Sequence, residues 1–135
     1  MTITKSEYNT MTTQQTVRAF LSIEAVAFII AGAIHSGIFV AIDTHYQAAT
    51  AESIIGVVLL IGFGLSWIWS AQARLIGLLA QAFAALGTLV GLFTIAVGVG
   101  PRSVGDLAFH LAILAMLGWG LVVTARSGEI RGVRA

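Results

Sequence analysis

The sequence contains no cysteine and a single proline. Without thiols there can be no disulfide, no thiolate metal site and no cysteine nucleophile. A helical bundle in a bilayer needs no such staple, so this absence leaves the compartment open. Charge is scarce too. Asp, Glu, Lys and Arg make up 10% of the chain, against about 25% in an ordinary soluble domain. That is too little to clothe a water-facing surface. The net charge of +1 gives no reason to invoke a nucleic-acid partner.

What is abundant is apolar. Hydrophobic residues make up 58% of the 135 residues and the mean hydropathy is +0.95. They fall in four long runs, at 20–41, 51–70, 75–97 and 104–124. Each is long enough to cross a hydrocarbon core about 30 Å thick at about 1.5 Å per helical residue. A cleavable signal peptide is the competing reading of the first run, with Ala49-Thr50-Ala51 as its cleavage site. The run is too long for an h-region of about 7–15 residues, and it contains Glu24 and His35.

By length the chain is one domain. Residues 17–126 read as a four-span membrane domain, flanked by a polar tail at 1–16 and a basic tail at 127–135. The Thr-rich first tail has the composition of a disordered cytoplasmic segment. Met1 and Met11 are both followed by Thr, so either could be the start of translation. The short connections around Ala71-Gln72-Ala73-Arg74 and Pro101 force antiparallel neighbours. The expected fold is an all-α, integral membrane, antiparallel four-helix bundle. Gly87-Thr88-Leu89-Val90-Gly91 is a GxxxG step, read here as serving close packing inside the bundle.

Lys5, Arg18, Arg74, Arg126, Arg131 and Arg134 fall on one side of these spans and only Arg102 on the other. The positive-inside rule then places both termini in the cytoplasm of a bacterial inner membrane. On that topology His35, Asp43, His45, Glu52, Arg102, Asp106 and His110 share the outer half. Counting about 1.5 Å per residue from each span's midpoint, His35 and His110 lie about 6 Å outward, with Glu52 and Asp106 about 12–13 Å outward. Asp43 and His45 read as solvated loop residues.

This convergence admits several chemistries. His35, His110, Asp106 and Glu52 form a two-histidine, two-carboxylate set suited to a divalent metal. His35 and His110 alone could be axial ligands of a haem, with Arg102 on its propionates, although Glu52 and Asp106 would crowd those propionates. Asp106, His110 and Glu52 could instead perform acid–base catalysis, such as isomerisation, epoxide opening or cyclisation of a lipophilic substrate. Arg102 stands near the mouth as a ligand-binding cation. Glu24 lies about 10 Å to the other side of the midplane, where Gln81 has similar depth. These two could bind a ligand, continue a proton path from His35, or hold the helices in register. The bland alternatives are an Arg102–Asp106 ion pair, a helix-dipole role for Glu52, and histidines bonded to neighbouring helices.

The stretch Gly100-Pro101-Arg102-Ser103-Val104-Gly105-Asp106, continued by His110, resembles a pattern in short four-span bacterial membrane proteins of uncharacterised activity. The likeness extends to the His35 helix and to Glu52. In overall format the chain is also similar to DoxX-like proteins, without a diagnostic DoxX motif. It lacks the Glu-Arg and Asn signatures of the MAPEG family. The resemblance implies a membrane topology and a bacterial source, and carries no activity.

The functional expectation is therefore a small multi-pass membrane protein with an outward-facing polar pocket. That pocket would take a metal, a haem or a small lipophilic ligand, as in a redox accessory. A membrane enzyme and a structural helper subunit are the alternatives. The implied partners are the lipid bilayer, a lipophilic small molecule, and a second copy or another membrane subunit.

Overall fold

The computed structural model describes residues 5–38 and 44–127, and within them the chain is helical with no strand. The elements are α1 (Lys5–His35), α2 (Tyr46–Ile68), a 3-10 turn (Ser70–Gln72), α3 (Ala73–Val97) and α4 (Val104–Arg126). Four segments within them are long and apolar enough to cross a membrane: Met11–His35, Tyr46–Ile68, Ser70–Val97 and Val104–Arg126. The fold is the expected all-helical, four-span membrane bundle.

Two boundaries of α1 differ from expectation. Residues 5–16, set apart by their polarity as a tail, continue α1 as helix. At its other end α1 stops at His35, short of residue 41. Gly37 supplies the reason. Its φ of 81° is left-handed, and the amides of Gly37 and Ile38 turn back to the carbonyls of Ile34 and Ala33. This is a Schellman stop, which a glycine adopts without Cβ strain. Gly98, with φ of 84°, ends α3 in the same way. The α1–α2 connection is closed by the His45 amide, which donates to the His35 carbonyl at 3.0 Å.

Between the helices runs a narrow apolar core. Leu21, Ala25 and Phe28 of α1 meet Ile55 and Leu59 of α2, Ala80 and Ala84 of α3, and Ile113 and Leu117 of α4. Large apolar residues such as Ile61, Leu86, Phe93 and Trp119 point outward and are more than half exposed. Such a coat is insoluble in water and matches a lipid environment. Both glycines of the GxxxG step face neighbours within the bundle. A Cβ on Gly87 would lie 2.6 Å from Ile55, and one on Gly91 would lie 2.6 Å from the His110 ring.

Polar contacts gather at the two ends of the bundle. At the end carrying the termini, Arg18 donates to the Ser66 carbonyl and stacks 3.9 Å from the Trp67 ring centre. There Arg74 donates to the last carbonyls of α4, at Thr124 and Ala125. The opposite end, where His35 approaches the start of α4, holds the candidate site.

Candidate functional site

The site begins with a helix cap. Ser103 is the N-cap of α4, and its hydroxyl accepts from the Asp106 amide at 3.1 Å. Asp106 Oδ2 in turn accepts from the Ser103 amide at 3.0 Å and from its hydroxyl at 2.6 Å. This reciprocal capping box fixes the carboxylate relative to the helix. Oδ1 of Asp106 is left facing inward and lies 2.9 Å from Nε2 of His35. The other ring nitrogen of His35, Nδ1, lies 2.6 Å from Oε2 of Glu52. One imidazole thus bridges carboxylates from α2 and α4.

Proton counting constrains this trio. Each of its two hydrogen bonds needs one proton, so at least two protons are shared among three groups. With two, either an imidazolium lies between two carboxylates, or a neutral imidazole lies beside one carboxylic acid. Both distributions carry a net charge of −1. In both, Oε1 of Glu52 is a bare acceptor. That atom is buried and has no hydrogen-bond partner.

His110 does not join this bridge. Its Nδ1 lies 2.8 Å from the Asp106 carbonyl, one turn back on the same helix. A carbonyl can only accept, so Nδ1 carries a proton, and in the neutral tautomer Nε2 is the acceptor. The early end of α1 explains why the two histidines are not level. Cutting the span at His35 lifts that residue to the height of Glu52 and Asp106, and leaves His110 a turn deeper.

Glu52 and His110 both line a cavity of about 490 Å³ between α2 and α3, within the usual range of small-molecule sites. Its walls are otherwise largely apolar, including Phe28, Ile55, Val90 and Ile95. His45, Tyr46 and Gln47 form part of its rim. Arg102, expected at the mouth, is exposed, with its guanidinium against Gly98 at the C-terminus of α3. That position suits a cation next to a helix C-terminus. Asp106 is instead engaged by Ser103 and His35, so the alternative of an Arg102–Asp106 pair gives way to these contacts. Asp43 lies outside the described residues, as do Arg131 and Arg134.

Glu24 and Gln81 form a second buried cluster, deeper toward the termini. Gln81 donates to both Glu24 oxygens, at 3.0 and 3.2 Å, and accepts from the Thr124 hydroxyl at 3.1 Å. All three side chains have zero exposure. Gly120 makes the space, because a Cβ there would collide with Gln81 and come within 2.8 Å of Glu24. Phe28, Ala84 and Ile113 lie in the apolar core between this cluster and the outer site. Among the described residues, a continuous proton path from His35 to Glu24 has no polar residue in that layer except Thr88, whose hydroxyl donates to its own helix.

The donor set does not fit a metal or a haem as arranged. Both His35 nitrogens are occupied by carboxylates, leaving no lone pair for iron or zinc. Among the described residues no group of three or more His, Asp or Glu side chains is disposed to hold a metal ion. Facing histidines, the basis of both ligand expectations, are replaced by a histidine between carboxylates.

Three contributors escaped the sequence reading. The Ser103-Val104-Gly105-Asp106 spacing is a capping-box signature and was legible as such. Thr124 carries no comparable signal. Gly91, read only as part of a packing step, sits against the His110 ring. In comparisons with known proteins, no family model matches the chain, and no curated protein or solved structure is significantly similar to it.

Proposed function

We propose that the protein binds a small lipophilic molecule in the outer cavity, with Glu52 as the group that meets its polar end. The observation that carries this reading is Glu52, which lines a largely apolar cavity and whose Oε1 is buried with no hydrogen-bond partner. An unsatisfied buried carboxylate oxygen is costly, and a ligand that hydrogen-bonds to it recovers that cost. His35 and Asp106 hold Glu52 in place and share protons with it. That base-and-orienter chain also favours a second reading, in which the bound molecule exchanges a proton with Glu52 during an isomerisation or ring opening.

The excess of Lys and Arg at the end carrying the termini supports a cytoplasmic location for both termini, with the cavity in the outer leaflet. For a bacterial chain this is the inner membrane. The test is mass spectrometry of solvent extracts from protein purified in mild detergent. An apolar molecule present near stoichiometry in the wild type, and depleted in Glu52→Gln and in an Ala51→Trp variant that fills the cavity mouth, is the expected result. Equal extracts from all three would overturn the reading. Incubating the identified molecule in deuterated buffer then separates binding from isomerisation, which leaves deuterium at carbon, and a ring-opened product in the extract marks the other reaction.

A further inference from the structure

We infer that the occupant is a neutral, hydroxyl-bearing lipophile that enters sideways from the bilayer between α2 and α3; this rests on the ligand-binding reading above. Ala51 of α2 and Val90 of α3 both line the cavity while remaining exposed, and both lie within membrane-crossing segments. The mouth between them therefore opens onto lipid, and a molecule using it must be soluble there.

The polar groups inside select the chemistry of its head. Glu52 Oε1 and His110 Nε2 both offer lone pairs. The threonine hydroxyl protons on the α3 wall are already committed, Thr88 to the Ala84 carbonyl and Thr94 to the Gly91 carbonyl. A ligand head that meets these two acceptors, inward of the Thr44, Tyr46 and Gln47 donors at the rim, must donate, as an alcohol, phenol or quinol does. Among the described lining residues there is no lysine or arginine, and the histidine–carboxylate trio is anionic overall. Carboxylate and net-anionic phosphate head groups are repelled by that charge.

Isotope-labelled farnesol, its methyl ether and farnesoic acid, sharing one skeleton, test this in phosphatidylcholine nanodiscs with and without protein. Protein-dependent retention of farnesol should exceed that of the ether and the acid by about tenfold, the usual effect of one lost hydrogen bond to a charged group. Ala51→Trp, which plugs the mouth, should abolish that retention. Ile61→Trp, on the exposed side of α2, should leave it unchanged. Melting curves confirm that both variants fold. If ether or acid binds as well as farnesol and Ala51→Trp removes all three, the hydroxyl class is wrong and the cavity reading stands. If Ala51→Trp changes nothing, or no compound is retained by the wild type, the cavity reading itself falls.

Discussion

His35 holds α1 to α2 and α4 through two carboxylates that have no other basic partner in the described contacts. Truncating it strands Glu52 and the inward oxygen of Asp106 in a buried setting, which costs about 3 kcal/mol. Asp106→Asn keeps an amide oxygen for His35 but turns a donor toward the Ser103 amide, and Ser103→Ala removes only the cap, so each should cost less, about 1–2 kcal/mol. Thermal unfolding in detergent should therefore rank His35→Ala well below the other two. Equal midpoints would mean that the three groups are not bonded as described. The sequence showed that these residues share one end of the bundle, because spacing along a helix converts directly into depth. It did not show which of them touch. Depth leaves the direction around the helix axis open, and the left-handed turn at Gly37 moved His35 outward by nearly two helical turns relative to the run read as its span.

At the scale of the element, glycines on one helix divide into those that make room and those that do not. Gly120 of α4 faces Gln81, Glu24 and Phe20, whereas Gly118, two residues earlier, has nothing within 4 Å of an added Cβ. Gly120→Ala forces apart a fully buried polar trio and should lower stability by about 1–3 kcal/mol. Gly118→Ala adds only helix propensity and should be neutral or stabilising by up to about 1 kcal/mol. Paired melting curves of the two variants check this, and a similar loss in both would mean that α4 is rotated from its described position. Element identity was the most legible feature of the chain. Runs of twenty or more apolar residues have few folded alternatives in lipid, because every backbone amide must be satisfied internally. Where α1 begins was harder to read, since polar residues such as Thr12, Gln14 and Gln15 form helix as an extension of a strongly apolar one. Gln14 in fact uses its side chain to reach the Ser70 carbonyl of the opposite hairpin.

For the whole molecule, the arrangement of the two polar ends across the membrane decides what the cavity can meet. Arg18 and Arg74 secure the end that carries the termini by hydrogen bonds to Ser66, Thr124 and Ala125. The cavity opens at the other end, where Arg102 is the one flanking cation in the sequence. Moving the first group across a membrane against its potential costs about 2.3 kcal/mol per charge per 100 mV, which under the proposed orientation keeps it on the side of synthesis. The absence of cysteine makes this directly testable, since an introduced thiol is the only maleimide target within the chain. Thr44, beside the cavity rim, and Gln72, in the 3-10 turn at the opposite end, are both exposed. A membrane-impermeant maleimide applied to intact cells should label Thr44→Cys and leave Gln72→Cys unmodified until the membrane is opened. The reverse pattern would place the cavity in the cytoplasmic leaflet. Its ligand would then come from the inner face of the bilayer, and the histidine–carboxylate trio would exchange protons with the cytoplasm.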